Sequence, residues 1–246
     1  MSEQPQAAVT GAPPPDRTAK AQRVRIRFAR GPEAGAVGHV DLARLWERAL
    51  EEAGVAVSRS QGRRGQARLT LAAGLPLGVT SEGELLDVVL WERLRTDELV
   101  ARVRPNLPPG IELRDAWEAG MGLPSLPTAV RWADYEVDVA AAEGLDEAIA
   151  SFLARETLAW RDTRGEKVRE YDLRPLVQEL RVDKRCGELT RLSMRLRCDA
   201  AGVGRADQVV LALGLPQAVR VHRRRLVLAE VSPARDAWRR RGRFAG

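Results

Sequence analysis

The sequence has few of the residues from which metal and redox centres are built. Two cysteines, Cys186 and Cys198, and two histidines, His39 and His222, occur in 246 residues. A radical iron–sulfur centre needs three closely spaced cysteines, and a catalytic zinc site usually has three His, Cys or carboxylate ligands. We therefore expect the chain to bind no metal and to carry no cofactor.

Several familiar motifs are also missing. The Gly-x-Ser-x-Gly pattern of a nucleophile elbow and the glycine patterns of Walker and Rossmann nucleotide sites do not occur. No apolar run approaches the roughly 20 residues of a membrane-spanning helix, and residues 1–5 lack the basic-then-apolar pattern of a signal peptide. These absences predict a cytoplasmic protein that does not contact a membrane.

The two cysteines fall in one predicted hairpin. A cross-strand disulfide between Cys186 and Cys198 is geometrically possible there. A reducing compartment favours the other interpretation, which is two buried thiols.

Positive charge is concentrated at the C-terminal end. The whole chain has a net charge of +6, while residues 220–246 carry nine Arg against Glu230 and Asp236, so that residues 1–219 sum to −1. A basic segment with aromatic residues binds RNA through counterion release and stacking, whereas the alternative is a solvated tail. The candidate nucleic-acid contacts are Arg223, Arg224, Arg225, Trp238, Arg239, Arg240 and Arg241.

Hydrophobic periodicity predicts an α+β fold. Val24, Ile26 and Phe28 alternate with arginines as in a half-buried strand, and residues 39–53 carry an apolar stripe at helical spacing. The predicted order β-α-β-β-α-β occurs twice, which indicates two ferredoxin-like halves in tandem. We expect a disordered segment at residues 1–20, the halves at 21–119 and 129–230, and a basic tail at 231–246.

Two further places in the first half are candidates for binding an anion. His39 and Asp41 begin the predicted helix, where free N–H groups favour negative charge; the alternative is that they only cap and complement the helix. The loop at residues 58–66 holds Arg59, Arg63 and Arg64 and is either a phosphate-binding loop or a solvated connection. Residues 74–78 predict a structural turn, because Leu75 and Leu77 favour burial.

Alternating charges on two predicted strands allow two interpretations. Arg23, Arg25 and Arg27 share one face of the first strand and could form a nucleic-acid surface. They could instead pair with Asp134, Glu136 and Asp138, which alternate in the same way on a strand of the second half. Aromatic residues make up 4% of the chain, which weakens any analogy with RNA-binding sheets that stack bases on exposed rings.

Seven short segments of the first half form a distinctive set: residues 25–31 (RIRFARG), 39–44 (HVDLAR), 48–50 (RAL), 53–55 (AGV), 60–62 (SQG), 75–79 (LPLGV) and 81–87 (SEGELLD). In these segments the chain resembles an uncharacterised radical-SAM-linked family, a domain of unknown function found beside or fused to cobalamin-binding radical SAM proteins. The family usually continues Ser-Gln-Gly with Phe-Asn-Pro, where this chain has Arg63-Arg64-Gly65. If that loop is a family binding site, this member has altered it.

The resemblance implies an accessory role beside a radical SAM protein, and the family's gene neighbourhood implies RNA or the ribosome as a partner. The leading hypothesis is therefore a non-catalytic RNA- or partner-binding protein of a radical SAM modification system. One alternative is an enzyme that acts on RNA or a small anionic substrate through His39, Asp41 and the arginine-rich loop. Another is an adaptor that binds protein alone.

Overall fold

Two α+β halves share one sheet in the computed structural model, which describes residues 16–62, 65–164 and 167–229. The predicted sites at Arg63, Arg64, Trp238, Arg239, Arg240 and Arg241 lie outside these residues, as do most of the predicted disordered segment and the predicted basic tail. No helix within the described ranges is long and apolar enough to cross a membrane.

The first half begins with the alternating strand that the sequence predicts. Val24, Ile26 and Phe28 are completely buried, and the ring of Phe28 packs edge-on against Trp46 with 5.0 Å between ring centroids. The elements of this half are β1 (Gln22–Arg30), α1 (His39–Glu52), β2 (Leu69–Leu71), β3 (Thr80–Leu90), α2 (Thr96–Val103) and β4 (Ile111–Ala119). Strand β1 lies between β3 and β4, and β2 pairs with β3, so the strand order is β4-β1-β3-β2.

The second half has the same order of strands. Its elements are α3 (Leu126–Ala129), β5 (Val130–Ala140), α4 (Leu145–Ala154), β6 (Ala159–Arg164), β7 (Lys167–Asp172), β8 (Val177–Cys186), β9 (Leu189–Asp199), β10 (Gly202–Val203), α5 (Ala206–Ala212) and β11 (Ala218–Leu228). Strand β5 lies between β9 and β11, and β8 pairs with β9, which gives β11-β5-β9-β8. Strands β6 and β7 form a separate hairpin.

A short parallel ladder joins the halves. Strand β11 pairs with β3 only at His222–Thr80 and Arg223–Ser81. A Cβ atom on Gly83 of β3 would lie 2.3 Å from the carbonyl oxygen of Arg224, so only glycine permits this close approach of the two backbones. Two hydrophobic cores result, one centred on Trp46 in the first half and one that lies mainly in the second half.

The cysteines differ from the expectation of two buried thiols. Both are free, but Cys186 is exposed at the end of β8 and only Cys198 on β9 is buried. Cys186 pairs with Leu189 at one end of β9, while Cys198 pairs with Val203 at the other. The two thiols are thus separated along the hairpin, and the structure contains no disulfide between them.

Candidate nucleic-acid interface

A row of carboxylates runs along β5, with arginines on the strands at both sides. Asp134, Glu136 and Asp138 occupy alternate positions on β5. Because residues of neighbouring strands that pair directly also project from the same face, these carboxylates meet side chains of β9 and β11. The arginines that meet them are Arg191 and Arg195 on β9 and Arg220, Arg224 and Arg225 on β11, which we call the arginine face.

Each carboxylate of the row binds at least two guanidinium groups. Asp134 accepts hydrogen bonds from Nε of Arg195 at 2.6 Å and from Nε of Arg225 at 2.7 Å. Asp138 accepts hydrogen bonds from Nε of Arg191 at 2.7 Å and Nε of Arg220 at 2.8 Å.

Glu136, at the centre of the row, is shared more widely. It accepts a hydrogen bond from Nη1 of Arg224 at 3.0 Å and lies within 3.9 Å of nitrogens of Arg191 and Arg220. Three carboxylates therefore hold five guanidinium groups. Glu179 and Glu82, at the two edges of the row, bind Arg195 and Arg224 in addition.

The acids of the row are recessed and the arginines project. The three carboxylate side chains are 11–20% exposed, whereas the five arginine side chains are 24–65% exposed. An arginine has five N–H donors, so a guanidinium that bonds a recessed carboxylate still has donors directed to solvent. The outer layer of this face is consequently richer in positive charge than its floor.

The ionisation of the floor follows from these contacts. Burial would raise the pKa of Asp134, but hydrogen bonds from Arg195 and Arg225 outweigh it and lower the pKa. The hydrogen bond from Arg191, assisted by Arg220, lowers the pKa of Asp138. Both acids are therefore ionised at neutral pH and keep the arginines extended.

A groove of about 790 Å³ lies where this face meets the first half. Six arginines and three carboxylates line it, so arginines outnumber acids in its lining. The lining arginines are Arg27, Arg114, Arg181, Arg195, Arg224 and Arg225.

His222 lies on β11 between Arg220 and Arg224, and its Nδ1 is 2.8 Å from Oγ1 of Thr80. Burial lowers the pKa of His222, and nearby Arg220 adds to this effect, so the imidazole is neutral at pH 7. Local sequence does not predict this contact, because Thr80 is 142 positions away from His222.

The predicted arginine triplet divides between interior and surface. Arg223 is buried, with its guanidinium bound to Glu84 and to the carbonyl oxygen of Gly74. Arg224 and Arg225 lie on the arginine face. Arg224 and Arg225 therefore remain accessible candidates for nucleic-acid contact. Arg223 is not accessible, because it is buried at the junction of the halves.

The candidate residues of the first half lie elsewhere. Arg59 binds Glu47 at 3.2 Å, Glu51, and the carbonyl oxygen of Gly65, so it ties its loop to α1. His39 and Asp41 are exposed in the first turn of α1, where Asp41 pairs with Arg44 at 3.4 Å. Neither of them lines the groove.

Arg23, Arg25 and Arg27 bind groups of the first half and of the segment that follows it. Arg25 and Asp87 form a buried ion pair at 2.8 Å. Nη1 of Arg23 donates to the carbonyl oxygen of Leu123 at 3.0 Å, and Arg27 lies 3.7 Å from Asp115. The acids of β5 pair with β9 and β11 instead, so the two alternating rows neutralise separate partners.

Metal-ligating residues do not cluster in the described part of the chain. No group of three or more His, Cys, Asp or Glu side chains there is arranged to hold a metal ion. The arrangement that the described residues do offer is a pre-organised set of hydrogen-bond donors.

Solved structures similar to this chain are distant. A Cbf5-Nop10-Gar1 complex matches at 10% identity with a TM-score of 0.45, covering 87% of this chain and 51% of the other. The archaeal box H/ACA sRNP Nop10-Cbf5 complex matches at 11% identity with a TM-score of 0.39, covering 86% and 49%. The chain thus spans about half the length of these two structures.

A third match is a putative glycine cleavage system transcriptional repressor, at 12% identity with a TM-score of 0.23, covering 79% of this chain and 93% of the other. All three TM-scores are below 0.5, so we draw no functional argument from these likenesses. No curated protein matches the sequence. The family described as an uncharacterized protein conserved in bacteria (DUF2344) matches residues 23–205, and the chain belongs to this family.

Proposed function

We propose that this chain is an accessory RNA-binding protein of a radical SAM modification system, and that its arginine face contacts the phosphate backbone of RNA. The observation that carries the proposal is the sharing of Asp134, Glu136 and Asp138 among five guanidinium groups. A phosphate oxygen that approaches the face meets donors that are already held in position.

The pre-organisation matters for affinity. A free arginine side chain loses rotamer entropy when it binds a ligand, at a cost of about 0.5–1.5 kcal/mol for each immobilised side chain. Arg195 and Arg225 are both bonded to Asp134 before any ligand arrives, and Arg191 and Arg220 are both bonded to Asp138. Much of this cost is therefore met during folding.

The proposed contact is to phosphate and not to bases. Guanidinium groups match phosphate oxygens in geometry, and contacts of this kind position a nucleic acid without reading its sequence. The central strand contributes carboxylates at all three positions of the row, and these do not stack on bases. We expect binding with little sequence preference and with strong dependence on salt.

The proposed fold assignment is two ferredoxin-like units in tandem. Two observations support it: each half has four strands in the order fourth-first-third-second, and the pairs within each half are antiparallel. In this assignment β6, β7 and β10 are additions to the second unit, and the arginine face is the open side of its sheet.

The radical SAM partner is proposed from the resemblance described above. Two cysteines are fewer than the three that such a cluster requires as ligands. In this proposal the partner therefore carries out the radical chemistry, and the present chain binds the RNA.

The test is a titration of a fluorescein-labelled single-stranded RNA at several salt concentrations, followed by anisotropy. Arg224→Gln and Arg225→Gln should each weaken binding and reduce the slope of log K against log salt by about 0.7. Arg102→Gln is the matched control, because it removes the same charge from an exposed ion pair on α2. If all three variants bind alike, the proposed face is wrong.

The predicted basic tail needs its own variant. A chain that ends at residue 229 should lose affinity and show a flatter salt slope if residues 230–246 contact RNA. Unchanged binding would remove the tail from the proposal and leave the arginine face as the contact surface.

A further inference from the structure

A cleft of about 1520 Å³ lies where β11 begins. Its walls come from the turn before β3, the β6–β7 hairpin, the segment from β10 to α5, and the first residues of β11. Pockets for small ligands usually measure about 300–1,000 Å³, so this cleft has room for a longer molecule.

Exposed aliphatic side chains are concentrated in the cleft. The described residues include nine large hydrophobic side chains that are exposed, and four of them line this one site. They are Leu77, Val203, Leu211 and Val219. Because separate exposed apolar residues are ordinary while a group of them marks an interaction site, the cleft is a binding surface.

The cleft also exposes an open edge of the sheet. Ala218, Arg220 and Val221 of β11 pair with β5 on one side, but the ladder with β3 starts only at His222. In a β-strand about half of the backbone N–H and C=O groups point to each side, and none of the described strands pairs with the side of residues 218–221 that faces the cleft.

Gly78 explains why this edge is open. It adopts a φ of +77° two residues before β3 begins, and its N–H bonds to the carbonyl oxygen of Gly35 at 2.9 Å. The backbone therefore leaves the extended conformation at this point, and β3 does not continue beside residues 218–221. None of the other described strands occupies that position.

The charges of the cleft suit a peptide better than a nucleic acid. Six arginines and six carboxylates line the cleft, whereas six arginines and three carboxylates line the groove beside the arginine face. Pairs such as Arg114–Glu112 at 2.7 Å and Arg205–Asp207 at 2.6 Å neutralise each other within the cleft. A polyanion would gain little there, while an uncharged segment with a backbone to pair is complementary to it.

We propose that the cleft binds an extended segment of a partner protein, with aliphatic residues at alternate positions, which adds as a β-strand to the open edge of β11. Backbone hydrogen bonds to residues 218–221 supply affinity, and contacts with Leu77, Leu211 and Val219 select the side chains. This site shares Arg220 with the arginine face, but Arg224 and Arg225, which test the RNA contact, do not line it, so its failure would leave that proposal intact.

The test begins with a displayed library of random dodecapeptides, selected on the full-length chain and counter-selected on Val219→Asp. Enriched peptides should carry alternating aliphatic residues and should bind Val219→Asp and Leu77→Asp at least tenfold more weakly than the wild type. Val40→Asp is the matched control, because Val40 is 60% exposed outside the cleft and Val219 is 62% exposed within it. The control should bind the peptides like the wild type.

Two measurements examine the strand geometry. The bound peptide should slow amide hydrogen exchange in residues 218–221. N-methylation of one alternate set of peptide amides should abolish binding and N-methylation of the other set should be tolerated, because a strand directs alternate N–H groups to its neighbour.

Four results would overturn the proposal. The first is a selection that enriches no peptide, and the second is a set of peptides that bind Val219→Asp as well as the wild type. The third is displacement of the bound peptides by single-stranded RNA. The fourth is self-association of the wild type that Val219→Asp abolishes. The last two would assign the cleft to RNA or to a second copy of the chain. Normal RNA binding by Val219→Asp would show that the arginine face still functions.

Discussion

Arg223 and Glu84 form an ion pair that is sealed inside the junction of the two halves. Nε of Arg223 lies 2.7 Å from Oε1 of Glu84, a second guanidinium nitrogen binds Oε2, and the two side chains are 1% and 4% exposed. Burial alone would lower the pKa of Arg223, but attraction to Glu84 outweighs it and raises the pKa, so the pair stays charged. Because both side chains are buried, water could not solvate either charge if its partner were removed.

Breaking this pair should destabilise the protein strongly. In Glu84→Gln the guanidinium of Arg223 remains buried without its counter-charge, and we expect a loss of about 3–5 kcal/mol in the free energy of unfolding measured with urea. Glu82→Gln, which alters the exposed pair with Arg224, should cost no more than about 1 kcal/mol. Equal losses in the two variants would contradict the role of the buried pair.

Asp138, one of the carboxylates beneath the arginine face, should make the free energy of unfolding depend on pH. The pKa of Asp138 is lowered in the folded state, so protons bind the unfolded chain more readily than the native one. The stabilisation is complete above the unfolded pKa of about 3.9 and is lost as the pH falls through the lower folded pKa. Asp138→Asn should therefore reduce the free energy of unfolding at pH 6, and the difference from the wild type should shrink below pH 4.

Urea titrations at pH 6, 4 and 2.5 would measure this effect. Asp146→Asn, which alters an exposed pair with Arg185, is the comparison variant. A constant difference between Asp138→Asn and the wild type at all three pH values would contradict the prediction.

His222 should titrate below the ordinary histidine range. Burial disfavours its charged form, so its folded pKa lies under the unfolded value of about 6.5. Its contribution to stability is complete above pH 6.5 and declines as the pH falls from there to the folded pKa. An NMR titration of the two imidazole signals, assigned with His39→Gln, measures the midpoint, and His222→Gln should remove the matching part of the stability loss. A midpoint at or above 6.5 would refute the prediction.

The two thiols should react at different rates. Burial raises the pKa of Cys198, and its side chain is shielded, whereas Cys186 is exposed at the end of β8. Ellman's reagent at pH 8 should label one thiol per native chain and a second only in denaturant. Cys186→Ser should lose the fast reaction and Cys198→Ser should keep it. Two fast equivalents, or none, would disagree with the structure.

The strands with strict alternation were the easiest part to predict from sequence. The alternating strand expected at Val24, Ile26 and Phe28 is β1 (Gln22–Arg30), and the helix expected at residues 39–53 is one residue longer than α1 (His39–Glu52). Both elements bury one periodic face, which is the signal that local pattern carries.

The sites depend on contacts that local pattern does not contain. Arg223 was predicted to contact nucleic acid with Arg224 and Arg225, because positive charge is concentrated at this end of the chain. Ordinary strand alternation after His222 directs Arg223 inward opposite buried Tyr135, and its partner Glu84 is 139 residues away. Leu77 was expected to be buried with Leu75, yet only Leu75 is, since Leu77 lies in the wall of the cleft.

The place of β11 at the end of the described chain has a consequence for synthesis on the ribosome. Strand β5 needs β11 to complete its ladder, and β3 needs it to close its junction with the second half. Until residue 228 has left the exit tunnel, β5 lacks one neighbour, Glu84 lacks its counter-charge, and the halves have no ladder between them. The last of the described strands to emerge is therefore the one that pairs with the facing edges of β5 and β3.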